Sequence, residues 1–197
     1  LWSGEGMRRR SLAPGLVELC IGKTEAHKVE ERASNALYHA SSADVLCIPH
    51  APRNEMLMAV YGLLRRKARR IVLDHVYMAG VPSAFGDRFV HSSHNHELAL
   101  KRAILGGHPH GRSLLALTQS AEAICVTGAD LIVGVTADDL VALSRGRPRF
   151  PPSLVIPNGV PTPSPIPTED SKAAATDVGR RSAVFLGSGH LPNVDAA

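Results

Sequence analysis

The sequence predicts an α/β fold, a parallel β-sheet with helices on both faces, followed by the start of a truncated second domain. Three observations predict it. Short apolar runs alternate with helix-compatible stretches over the first 160 residues, the order that parallel strands with crossover helices require. The chain has 197 residues, 44% hydrophobic and 20% charged, enough apolar material for one domain with a buried core and too balanced in charge for a disordered chain. Beyond Val160 the composition changes to prolines at every second position, Pro161, Pro163, Pro165 and Pro167, a semi-rigid extended segment that a central strand does not tolerate.

The elements follow in order. Residues 16–21 are an apolar strand and 25–37 a polar helix. Residues 43–48 read as a second strand, stopped by Pro49. Residues 54–67 form a helix whose apolar stretch, Met56 to Leu64, reads as buried. Residues 70–75 are a third strand and 89–91 a short fourth. A helix over 95–105, opened by Asn95, ends at Gly106 and Gly107. In the next helix, 112–126, Leu114, Leu117, Ala121, Ile124 and Cys125 recur at the three-and-four spacing of one helical face. Residues 129–135 are a strand, 137–144 a helix with Thr136 as N-cap, and 153–156 a strand ended by Pro157. Residues 1–160 are thus a first domain and 161–181 a Pro-rich linker. Residues 182–197 are the first strand and loop of a second domain, cut off where a helix would begin.

Several classes are excluded. No run approaches the roughly 20 apolar residues of a membrane span, and the start shows no basic region followed by an apolar core. Cys20, Cys47 and Cys125 are widely spaced, lie in apolar runs and have no metal spacing. They read as buried thiols of a reducing compartment, which points to a cytoplasmic protein. The formal charge is +4. Its densest basic run, Arg65 to Arg70, sits between an apolar helix and an apolar strand and reads as a solvated helix end. A nucleic-acid partner would require a broader basic face with interleaved aromatics. The same run is the one candidate for peripheral contact with a bilayer surface.

The richest candidate site lies between His91 and His110, which holds five of the ten histidines. Three readings compete for it. His94 and His96, two apart on an extended segment, would face one side and, with Glu97, would suit a metal ion; that is the basis of a metal-dependent hydrolase reading. A neutral surface turn is the second. The third places the segment at the carboxyl edge of an open α/β sheet, where ligands bind. There His94 and Asn95 can hydrogen-bond sugar hydroxyls, and a helix N-terminus favours an anionic group. Asp138 and Asp139, beside Thr136, are explained by helix capping as well as by a metal. Asn158 and Gly159 after a strand are turn residues. Gly187 and Ser188, after the apolar run 182–186, form a small-residue loop that lets a phosphate approach backbone amides.

Taken in order, these segments resemble a known family. His94, Asn95, His96 and Glu97, with Leu100 and Lys101 behind them, look like the His-Asn-x-Glu segment of bacterial glycosyltransferases with the two-domain GT-B fold. Glu122, the Ala129 to Val133 strand, and Thr136 with Asp138 and Asp139 are similar to that family's next segment. Ile156 to Val160 resembles its Pro-Asn-Gly-Val, and Phe185 to Ser188 with Pro192 and Asn193 the opening of its second domain. The closest group is family 4, retaining sugar-nucleotide-dependent transferases. The resemblance covers residues 43–197. His96 departs from the aliphatic residue usual there, Thr136 from the usual Ser, and the family's N-terminal Gly-rich loop is not recognisable.

The resemblance implies a Rossmann-like first domain that holds the acceptor and a second that holds a nucleotide-sugar donor. The donor is a co-substrate; no cofactor and no metal are implied. The acceptor would be a sugar, a lipid-linked sugar or a small molecule. His94, Asn95, Glu97, Asn158 and Gly159 would be substrate-binding and Gly187 and Ser188 would form the donor-phosphate loop, with no catalytic base named. The resemblance also implies that this chain alone is inactive. A non-catalytic sugar- or nucleotide-binding module on the same fold stays open beside it.

Overall fold

A computed structural model describes residues 4–38, 42–109 and 111–158. The chain divides into two units at Asn158–Gly159, and every described residue lies in the first. The expected linker, the strand over 182–186 and the loop of Gly187 and Ser188 lie outside the described residues.

The architecture is α/β. Strands β3 (Val72–Asp74), β4 (Phe89–Ser93), β5 (Ala129–Gly134) and β6 (Ser153–Val155) form a four-stranded sheet in sequence order. All three pairings are parallel, with Val72 opposite Val90, His91 opposite Ile132 and Val133 opposite Leu154. Helices α4 (Gly80–Ala84), α5 (Glu97–Leu105), α6 (Gly111–Gly128) and α7 (Ala137–Ser144) occupy the crossovers. Leu73, Phe89 and Ile132 join Ala121, Cys125 and Val126 of α6 and Leu140 of α7 in the main core. Burial alternates along β4, with Phe89, His91 and Ser93 buried and Val90 and Ser92 half-buried. That alternation fits a sheet more fully covered on one face than on the other; the parallel sheet flanked by helices is the α/β architecture expected.

The first third of the chain departs further from expectation. The strand at Leu16–Ile21 (β2) forms, but it pairs antiparallel with Met7–Ala13 (β1) in a separate hairpin turned by Pro14 and Gly15, the latter at φ 77°. Residues 43–48 are not a strand. They belong to helix α2 (Ala43–His50), with Pro49 inside its last turn. A short apolar run does not distinguish strand from helix by periodicity. The helix buries the adjacent side chains Val45 and Leu46 together against Leu105 of α5 and Leu114 of α6. Its Asp44 meets Lys101 of α5. Helix α1 (Glu25–Tyr38) packs on α2, where His50 stacks on the fully buried His27 at 4.6 Å.

Helix α3 (Glu55–Leu64) starts at Asn54, whose side chain accepts from the Leu57 amide and donates to the Gly22 carbonyl. It is not the buried helix expected: Met56, Leu63 and Leu64 are exposed, and none of its residues is fully buried. The following basic run is solvated as read, except that Arg65 pairs with Asp87. Of the cysteines, Cys125 is buried, while Cys20 and Cys47 are only partly so; all three are free thiols. No helix among the described residues is long and apolar enough to cross a membrane.

Candidate functional site

Parallel strands end on one edge, and the segments leaving β3 and β4 at that edge carry Asp74, His75, His94, Asn95 and Glu97. Strand β3 ends at Asp74, and the next residue, His75, takes φ 59°, the one non-glycine positive φ among the described residues. Few non-glycine residues enter that region, histidine more often than most, and they stay there where their surroundings hold them. Here the His75 amide is fixed by a 3.0 Å bond to the Ser92 carbonyl of β4. Strand β4 ends at Ser93, whose hydroxyl donates to the Asn95 carbonyl at 2.9 Å. That bond holds residues 94–96 as a corner. Helix α5 therefore starts at Glu97 with His96 as its N-cap residue, not at Asn95.

The corner brings together residues from both strands. His94 Nε2 lies 2.7 Å from Asp74 Oδ1. The His75 and His94 rings stack at 4.2 Å. His75 Nδ1 lies 3.5 Å from Oε1 of Glu97, whose other oxygen accepts a 2.6 Å hydrogen bond from the Tyr77 hydroxyl. Asn95 Nδ2 donates to the same Glu97 Oε1 at 3.5 Å. Glu97 is 3% exposed, whereas the side chains of Asp74, His75 and His94 are 61%, 40% and 37% exposed. A buried carboxylate thus stands behind His75, while Asp74, His75 and His94 open to solvent. Partial burial raises the Asp74 pKa, but hydrogen bonds from His94 and Ser92 and the nearby imidazoles outweigh it and hold the carboxyl below its ordinary value. Burial first, and then the bond to Glu97, push the Tyr77 phenol well above its ordinary value, so it stays a donor.

The other histidines of the segment do not converge. His94 and His96 were expected to face one side; the bend at 94–96 separates them. His96 Nε2 lies 3.5 Å from Glu122 Oε2 of α6, and its amide donates to Asp139 Oδ1 at 3.0 Å. Glu122 is 2% exposed and accepts the Leu98 amide, and burial raises its pKa. His91 is fully buried in the sheet, with Nδ1 3.2 Å from the Leu73 carbonyl. His110 lies outside the described residues. A metal centre built from the histidines between His91 and His110 is therefore not assembled among the described residues.

No family model, curated protein or solved structure matches this chain. The remaining expected residues divide. Thr136 caps α7, accepting the Asp139 amide at 3.1 Å and donating to Asp139 Oδ2 at 2.6 Å. Asp139 is thereby committed to holding the starts of α5 and α7, which accounts for one of the acidic pair without a metal. Asn158 is exposed beyond the end of β6. Gly159, Gly187 and Ser188 lie outside the described residues. Sequence reasoning passed over Asp74, His75 and Tyr77. The available signal was an Asp-His pair at the end of an apolar strand, which by the edge rule belongs to the same site as His94.

The cluster offers two imidazoles and a carboxylate open to solvent, with a buried carboxylate behind them. It can exchange hydrogen bonds with several hydroxyls at once, accept a proton, or ligate a cation.

Proposed function

We propose that this chain provides the acceptor-side domain of a sugar-nucleotide-dependent glycosyltransferase. The observation that carries the reading is the gathering of Asp74, His75, His94, Asn95 and Glu97 beyond the carboxyl ends of β3 and β4. Open parallel sheets receive ligands at that edge. A sugar presents adjacent hydroxyls that both donate and accept, and a set of imidazoles and carboxylates matches them. The resemblance of the segments at 94–97, 129–139 and 156–160 to GT-B transferases points the same way.

In this reading His94 and Asn95 bind acceptor hydroxyls and Asp74 orients the His94 ring. Glu97, fixed by Tyr77, sets the position of His75. Asn158 follows β6 at the same edge of the sheet. The donor is a nucleotide sugar whose diphosphate meets the small-residue loop of Gly187 and Ser188, and charge stabilisation of the leaving diphosphate supplies most of the catalysis. The setting is cytoplasmic, with peripheral bilayer contact through the Arg66 to Arg70 stretch if the acceptor is lipid-linked.

The test is transfer of labelled sugar from UDP- and GDP-linked donors by the full-length product of the gene. Transfer that drops in His94→Ala by about a hundredfold, the scale of a lost positioning group, supports the reading. Transfer untouched by His94→Ala, or absent with every donor, overturns it.

A further inference from the structure

We infer that Asp74, His75 and His94 form a binding site for a divalent transition-metal ion, zinc in the first instance. The ligand set differs from the one the sequence suggests, since two of its members come from the end of β3. Each of the three offers one ligand atom, and these atoms all lie within 4.8 Å of one another. Tetrahedral zinc with bonds of about 2.0–2.1 Å sets its ligand atoms about 3.3 Å apart. The 2.7 Å gap between His94 Nε2 and Asp74 Oδ1 would open slightly and the wider gaps would close. All three side chains are more than a third exposed, so rotation about their own bonds accomplishes this.

Two further observations make this a built site. His75 is held at φ 59°, an uncommon conformation for a non-glycine residue, and its ring stacks on that of His94. Its Nδ1 is buried and has no hydrogen-bond partner, yet it faces the buried Glu97 carboxylate at 3.5 Å. With one ring nitrogen on the ion, the other becomes a fixed donor and shortens that approach. This is the carboxylate–histidine–metal relay that orients ligands in known sites, and Tyr77 anchors the carboxylate from behind. Two imidazoles and one carboxylate suit zinc and its neighbours over calcium or magnesium, which prefer all-oxygen shells. Three protein ligands leave the fourth position to water or to a substrate hydroxyl.

The site shares His94 and Asp74 with the glycosyl-transfer reading, but ion binding and sugar transfer are measured separately, so either can fail alone. The full chain is loaded with zinc chloride, desalted, and assayed for bound zinc and for affinity against a chromophoric chelator. Cobalt(II) substitution then reports the geometry through its visible absorption. The expected result is about one zinc per chain and the intense absorption of a four-coordinate cobalt site. His94→Ala, Asp74→Asn and His75→Gly each lose the ion. Glycine accepts the positive φ at position 75, so loss in that variant reports the ligand and not the backbone. Glu97→Gln weakens binding by about tenfold, and His96→Gln binds as the parent does. No zinc retained by the parent chain, or zinc retained equally by His94→Ala and His75→Gly, would overturn the inference.

Discussion

The Tyr77 hydroxyl donates a 2.6 Å hydrogen bond to Oε2 of Glu97, joining the loop after β3 to the first turn of α5. The two residues are twenty apart in sequence, and the bond closes the back of the site. Glu97 is 3% exposed, so its oxygen has no water to replace the phenol. Tyr77→Phe is therefore expected to destabilise the chain by about 1–3 kcal/mol, the cost of an unsatisfied buried acceptor. Urea unfolding of the two proteins measures it. A change below a few tenths of a kcal/mol would show that Glu97 is solvated after all.

Position 75 reverses a familiar preference. At an ordinary strand end alanine is at least as good as glycine. At φ 59° the β-carbon meets the backbone, a cost of roughly 1–2 kcal/mol that glycine escapes. His75→Gly is expected to be more stable than His75→Ala by about 1 kcal/mol, read as a difference in unfolding midpoint. The opposite order would mean that residue 75 is not held in the left-handed region.

How far the site was legible in the sequence follows from these two residues. The strands at 72–74, 89–93, 129–134 and 153–155 announced themselves as short apolar runs between helices, and the parallel edge followed from their order. His94, Asn95 and Glu97 were legible because they directly follow one of those strands. His75 and Tyr77 were not, since their role depends on pairing β3 beside β4 and on a backbone angle that no residue type encodes. The helix at Ala43–His50 was read as a strand because six apolar-rich residues before a proline carry no period. The exposed face of α3 was missed for the converse reason: its apolar residues promised a partner that the described residues do not supply.

The cap of α7 gives a third expectation. Thr136 accepts the Asp139 amide, and Asp139 in turn accepts the His96 amide at the start of α5. Thr136→Ala is expected to cost about 1 kcal/mol. Asp139→Ala is expected to cost more, because it strips a partner from both helices. Thermal melts of the two variants compare them directly, and equal or reversed losses would separate the two caps.

Stability is also expected to depend on pH through His27. Its ring is fully buried, both nitrogens lack partners, and burial, followed by the charges of His50 and Lys23, pushes its pKa down to about 4. The unfolded chain has the ordinary value near 6.5. Between those values the unfolded state binds the extra proton, so stability falls as the pH drops from about 6.5 towards 4, by on the order of 3 kcal/mol in full. His91, buried with its pKa also lowered by desolvation, contributes in the same direction. Urea midpoints at neutral and mildly acid pH measure the slope, and His27→Leu is expected to flatten it. An unchanged slope in that variant would place the titration elsewhere.

On the proposed function, the carboxyl edge of the sheet around His94 and His75 is where this protein meets a sugar. The most direct measurement is a two-dimensional amide NMR titration of the chain with simple sugars of the acceptor class. The account predicts shifts concentrated at Asp74 to Tyr77 and Ser93 to Glu97, and lost in His94→Ala. Shifts confined to the opposite edge around Arg69, Arg70 and Arg88, or no shifts at millimolar sugar, would contradict it.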